Sequence, residues 1–226
     1  MATIAENLQA VRARIGRAAR AARRDDAAVT LLAVSKTHPV PRIAEARAAG
    51  QQAFGENYVQ EAFEKMTALP GLEWHLIGPL QSNKTRLVAE RFQWVQTVDR
   101  EKIARRLSDQ RPAELPPLNV LIQVNASGES SKAGIASSEV EVLARTVASL
   151  PRLRLRGLMA IPEPGAPRER YAQVRAAFDE LKHKFGFDTL SMGMSDDLEL
   201  ALAEGATMVR IGTAIFGQRR KEKSAA

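Results

Sequence analysis

The chain has 226 residues, with 33 Lys+Arg against 26 Asp+Glu for a net charge of +7, 45% hydrophobic and 26% charged residues, and no cysteine. That composition is ordinary for a folded globular protein and excludes global disorder, disulfides, cysteine-ligated zinc, iron–sulfur clusters and thiol nucleophiles. No apolar run approaches the roughly 18 residues of a membrane span, and the length allows a core that needs no metal or cross-link.

In chain order, Ile4, Leu8, Val11, Ile15 and Ala19 recur at three- and four-residue steps and form one apolar stripe of a helix, with the arginines mostly on the other side. This start lacks the continuous apolar stretch of a secretory signal. It also lacks serine before Ser35 and carries Glu6, unlike a transit peptide, so a cytoplasmic location is expected. Alternating elements follow. Val29–Ser35 reads as a strand and Val40–Ala49 as a helix; Gln52–Phe54 and Asn57–Met66 repeat the pair. Glu73–Ile77 with Ser82–Glu90, and Gln93–Val98 with Arg100–Asp109, continue it. Arg111–Leu118 holds three of the 11 prolines and reads as a loop. Asn119–Asn125 is then a strand and Ser138–Leu150 a helix, followed by Leu155–Ile161 with Arg168–Phe185. Thr189–Met192 with Asp196–Glu204, and Met208–Ile211 with a short helix near Thr213, complete the series.

Eight strands alternating strictly with helices predict a parallel sheet. At this length they predict a single α/β domain over 1–226, a closed (β/α)8 TIM barrel with an additional N-terminal helix. An open doubly wound sheet is the rival. It would carry a Gly-rich turn after the first strand, where this chain has Ser35-Lys36-Thr37-His38-Pro39.

A barrel places its chemistry at the carboxyl ends of its strands, above an interior packed with aliphatic side chains. Leu32, Val34 and Lys36 share a strand face. If that face is inward, apolar neighbours favour the neutral, nucleophilic amine of Lys36, suited to imine formation; a surface lysine just past a strand end is the other reading. Arg210 sits among aliphatics in the eighth strand and needs an anion or a ring-nitrogen acceptor, or else a buried glutamate. The turns at Met192-Gly193-Met194-Ser195 and Gly212-Thr213 precede helices and follow strands seven and eight, the usual phosphate cradle. Ordinary N-caps are the competing reading, with Asp196 and Asp197 already in the first helical turn. Taken together, an amine, a guanidinium and a phosphate cup describe a ligand with an aldehyde, a ring nitrogen and a phosphate, which pyridoxal 5′-phosphate satisfies.

The segments AVSKTHP (33–39), FGENYVQE (54–61), WHLIGPLQSNK (74–84), VNASGESSKAGI (124–135), GLMAIP (157–162), LSMGMSDDLELAL (190–202) and GATMVRIGTAIFG (205–217) occur in order. With them the chain closely resembles the pyridoxal phosphate homeostasis proteins of the YggS/PROSC type. The resemblance implies a barrel like the amino-terminal domain of alanine racemase. It implies that Lys36 holds pyridoxal 5′-phosphate as an internal aldimine. Ser195, Gly212 and Thr213, with backbone near Met192 and Met194, would hold the phosphate, Arg210 would face the pyridine nitrogen, and Asn57 would lie beside the cofactor. His38 departs from the lysine-type residue many relatives carry there.

The resemblance also implies a role in vitamin B6 and amino-acid homeostasis without established turnover; a low-activity racemase or lyase is the alternative. A racemase needs a second base, and Tyr58 and Tyr171 are poor candidates. Apo forms of pyridoxal phosphate enzymes are possible partners, and a monomer is expected. The arginines Arg12, Arg14, Arg17, Arg20, Arg23 and Arg24, with Arg219, Arg220, Lys221 and Lys223 at the tail, read as solvated faces rather than a nucleic-acid contact, because no aromatics are interleaved with them. The histidines His38, His75 and His183 lack metal-ligand spacing. His75 reads as a satisfied core histidine, with a place in the barrel interior near the cofactor as the other reading.

Overall fold

The computed structural model describes residues 2–127 and 133–218. Part of the 124–135 segment and the tail residues Arg219, Arg220, Lys221 and Lys223 therefore lie outside the described residues.

The first helix, α1 (Ile4–Ala21), starts on a capping box: Glu6 donates its N–H to Thr3 Oγ1 and its carboxylate accepts the Thr3 N–H. Its apolar stripe, Ile4, Leu8, Val11 and Ile15, is buried. The eight repeats follow: β1 (Thr30–Val34) with α2 (Val40–Ala48), β2 (Ala53–Glu56) with α3 (Val59–Ala68), β3 (Glu73–Leu76) with α4 (Thr85–Arg91), and β4 (Trp94–Val98) with α5 (Glu101–Gln110). The second half runs β5 (Leu118–Val124), α6 (Val140–Ala148), β6 (Leu153–Ala160), α7 (Arg168–Phe185), β7 (Thr189–Ser191), α8 (Leu198–Ala203), β8 (Met208–Ile211) and α9 (Thr213–Phe216). All eight strands pair in parallel and in chain order, and β1 closes on β8 with Leu32 opposite Arg210. The predicted (β/α)8 barrel with an extra helix is the observed fold. The extra helix packs across α8, α9 and α2, on the side where the barrel closes.

Burial between barrel and helices supplies the main apolar cluster, from Ile4 and Leu8 of α1 to Phe216 of α9. By the pleat, residues in register point the same way. Leu32, Ala53, Ile77 and Met208 form one apolar group inside the barrel, and Trp94, Leu121 and Met159 form another. The interior is not wholly aliphatic, as the sequence reading had it: His75, Gln96, Ser191 and Arg210 are buried there too.

Several boundaries differ from expectation. β2 runs on to Glu56 and α3 starts at Val59, so Asn57 is a loop residue. Ser82–Lys84 is a 3-10 turn ahead of α4. The predicted helix Asp196–Glu204 shrinks to Leu198–Ala203, and Asp196 and Asp197 precede it. Asp197 is drawn off by other donors: Tyr171 gives it a hydroxyl hydrogen bond of 2.5 Å and Met194 an amide one of 2.6 Å. The arginines of α1 are not all on a solvated face. Arg14 donates to the Ser195 carbonyl at 2.7 Å and pairs with Glu199, while Arg24 donates to the carbonyls of Leu202 and Ala206.

Candidate functional site at the barrel mouth

Four consecutive strand ends around the rim, β7, β8, β1 and β2, carry the predicted site residues, because the barrel closes with β8 between β7 and β1. Lys36 lies two residues beyond the end of β1, partly buried, in the turn Lys36-Thr37. Val34, two residues earlier, packs against the inward group of Leu32 and Met208. The strand therefore delivers Lys36 to the inner rim.

That turn is pinned on both sides. The Lys65 ammonium, 3% exposed, donates to the Ser35 carbonyl at 2.7 Å, to Glu56 Oε1 at 2.7 Å and to Glu61 Oε1 at 2.6 Å. Glu61 Oε1 also accepts the Thr37 N–H at 2.5 Å. Thr37 adopts φ 65°, a left-handed conformation that a threonine takes only when its surroundings impose it. Ser35 donates its hydroxyl to Glu56 Oε1 at 2.6 Å, and Glu56 Oε2 is buried without a hydrogen-bond partner among the described residues. Burial pushes the Glu56 carboxyl above the ordinary range, opposed by Lys65.

Gly212 brings β8 against this turn: a side chain there would meet the Val34 carbonyl at 3.1 Å. The His38 ring stacks on Phe216 of α9 at 4.9 Å, and Arg42 donates to the Phe216 carbonyl. Thr213 is exposed beside Gly212. On the other flank, Gly193 adopts φ 97° and its carbonyl accepts the Arg210 N–H at 2.9 Å, which fixes the Met194-Ser195 turn to β8. Met194 and Ser195 are partly buried. Met192 is the exception: its side chain is wholly buried in the main apolar cluster and its N–H donates to the Met208 carbonyl, so it offers the mouth no donor. Asn57, past the end of β2, is partly buried.

Arg210 is 4% exposed, and its guanidinium donates to Ser191 Oγ and to the Ala160 carbonyl, both at 2.8 Å. Both partners are neutral. Burial lowers its pKa to about 10, partly countered by the field of Asp197, so it stays charged at neutral pH.

Sequence reasoning missed Lys65, Glu56 and Glu61. The Glu61–Lys65 spacing of four residues, which places the two side chains side by side on α3, was the available signal. A separate recess of about 480 Å³, lined by Arg12, Asp26 and Gln51 among others, lies beside the amino ends of β1 and β2. It is remote from these strand ends, and its Arg12 and Gln51 bond each other. The mouth, whose neighbouring strand ends carry an amine, a guanidinium and hydroxyls, is the chemically furnished end. Among the described residues no helix is long and apolar enough to cross a membrane.

Residues 6–220 match the family described as alanine racemase, N-terminal domain. A pyridoxal phosphate homeostasis protein of Pseudomonas aeruginosa is 62% identical over 97% of each chain. Its namesake in Escherichia coli K12 is 58% identical over 99% of this chain and 100% of its own. Among solved structures, PipY of Synechococcus elongatus PCC7942 with pyridoxal phosphate bound is 38% identical, with a TM-score of 0.82 over 95% of this chain and 100% of its own.

Proposed function

Because the chain belongs to the alanine racemase N-terminal domain family, and within it to the pyridoxal phosphate homeostasis proteins, we propose that it binds pyridoxal 5′-phosphate at the barrel mouth and keeps it available to the cell without turning over a substrate. The chain works as one unit over 1–226. The observation that carries this reading is Arg210, a buried guanidinium with two neutral protein partners, on the strand next to the one that delivers Lys36. A buried cation of that kind fits a ligand that brings its own acceptor.

The residues fit the group. When bound, pyridoxal 5′-phosphate supplies an aldehyde that combines reversibly with an amine and a ring that accepts electron density. Lys36 offers the amine, held in place by the Lys65 and Glu61 contacts on its two neighbours. Arg210 can only donate, so it leaves a ring nitrogen unprotonated and keeps electron withdrawal weak. Ser195, Thr213 and the backbone at Gly212 take the phosphate, the N–H groups of Met192 and Met194 already being given to the Met208 carbonyl and to Asp197, and Asn57 lines the opposite flank. About four charge-assisted hydrogen bonds at 1.5–3 kcal/mol each give roughly 6–12 kcal/mol gross, against an association cost of at least about 4 kcal/mol. The non-covalent grip is therefore modest and Lys36 sets retention, which suits storage and release.

Tyr171 is unfit as the second base a racemase needs. Burial and its hydrogen bond to Asp197 push its hydroxyl up and keep it protonated. The test is a visible spectrum of the protein titrated with pyridoxal 5′-phosphate, before and after borohydride, with mapping of the labelled peptide. The expected result is a visible band and a reduced adduct on Lys36; a protein that takes up no cofactor overturns the reading.

A further inference from the structure

Arg210 is one end of a hydrogen-bonded chain that crosses the barrel interior. Its Nη1 donates to Ser191 Oγ at 2.8 Å, and the Ser191 hydroxyl donates to Gln96 Oε1 at 2.7 Å. Gln96 Nε2 lies 2.9 Å from His75 Nδ1 and 3.2 Å from Met208 Sδ. His75 Nε2 lies 2.8 Å from Glu73 Oε1, and Glu73 is the first residue of β3, at the far end of the barrel. Ser191, Gln96 and His75 are wholly buried, whereas the Glu73 side chain is 46% exposed.

The donors can be assigned in only one direction. The hydrogen bond from His75 holds the Glu73 carboxyl below its ordinary range, against burial, so at neutral pH Glu73 accepts. His75 Nε2 therefore carries the hydrogen. Burial pushes the His75 ring down, so it is neutral and Nδ1 accepts. Gln96 must then turn its NH2 to His75 and its oxygen to Ser191. Ser191 gives its one hydrogen to that oxygen and has lone pairs left for Arg210. Every donor points away from the guanidinium, each bond polarises the next, and the chain ends on a negative charge.

Filling a barrel does not require this. Aliphatic layers do it in most such barrels, and the inward apolar residues here stand in two separate groups. A satisfied polar network in a core fixes geometry more than it adds stability.

We infer that Ser191, Gln96 and His75 are positioning residues for Arg210: they fix the rotation of its guanidinium so that its remaining N–H groups face the mouth. The planar fork is held at two points, Ser191 Oγ and the Ala160 carbonyl. The carbonyl belongs to the backbone of β6 and cannot rotate; the hydroxyl can, and Gln96 and His75 are what stop it. The inference rests on the cofactor reading given above, in which Arg210 faces the ring of pyridoxal 5′-phosphate.

The test titrates wild type, Arg210→Gln, Gln96→Met, Ser191→Ala and Glu73→Gln with pyridoxal 5′-phosphate and reads the position of the visible band together with the affinity. Gln96→Met keeps the side-chain length and cuts the chain two bonds from Arg210. The expected result is a band displaced in the direction seen for Arg210→Gln, with binding about fivefold to tenfold weaker. Glu73→Gln keeps an acceptor for His75 and should change affinity by about twofold or less. If Gln96→Met does not fold, Ser191→Ala, which removes a single atom, decides in the same titration. A displaced band in Arg210→Gln beside a wild-type band and affinity in Gln96→Met or Ser191→Ala overturns the inference and leaves the cofactor reading standing. An unchanged band in Arg210→Gln overturns the Arg210 assignment and the inference with it, and absence of any band in wild type overturns the cofactor reading itself.

Discussion

At the amino end of the barrel, Arg156 lies over the Trp94 ring at 4.9 Å, pairs with Asp188 at 2.8 Å and donates to Asn119. Trp94 in turn stacks on His75 at 5.0 Å, nearly parallel. At the mouth, Arg210 is more deeply buried, yet among the described residues it bonds a hydroxyl and a carbonyl and no carboxylate. Both arginines come from barrel strands. One has its charge balanced within the fold and closes the floor, while the other is oriented but not neutralised. The contrast separates a cation that serves packing from one that we propose serves a ligand.

Four substitutions break or sharpen that contrast. Lys36→Ala should abolish the borohydride-fixed label entirely while the circular dichroism spectrum and melting temperature stay close to wild type, since the residue lies beyond the packed strand; a label retained elsewhere in the mouth would detach the chemistry from β1. Lys65→Met should cost roughly 3 kcal/mol in a denaturant titration, because it strands the buried Glu56 carboxylate. A cost below about 1 kcal/mol would mean that the turn around Lys36 holds itself.

Arg156→Ala should cost about 1 kcal/mol through its lost ring and surface ion-pair contacts, with cofactor uptake at the wild-type level; weakened uptake would erase the distinction between floor and mouth. The smallest effect is a pH dependence. Glu56 has a raised folded-state pKa, so the unfolded chain ionises first as pH rises. The stability due to neutral Glu56 is full below the ordinary 4.5 and is lost as pH climbs through the folded value. Wild type should therefore be favoured over Glu56→Gln more at about pH 4.5 than at about pH 7.5 in parallel melts. The reverse slope would show that Lys65 outweighs burial.

The alternation of strands and helices was legible because most strands are short apolar or β-branched runs and the longer helices carry a stripe, as in Ile4, Leu8, Val11 and Ile15. Lys36 and Arg210 stood out because they end or interrupt such runs. Gln96 and His75 were less legible: a polar residue at mid-strand looks the same whether it lines an interior chain or faces water, and only the closed register assigns the side. Lys65 reads as a solvated helix lysine until Glu56, an extra residue at the end of β2, is seen to point beneath it. Asp196 and Asp197 fit the composition of a helix start, and no local rule reveals that Tyr171, from another helix, claims the second.

Closure of β8 onto β1 also has a bearing on how the molecule is made. The lysine strand is synthesised before the arginine strand, so the two sides of this seam come together only when β8 docks on β1. Once both are in place, an occupant bridging that seam ties the two termini of the barrel together and opposes fraying from either end.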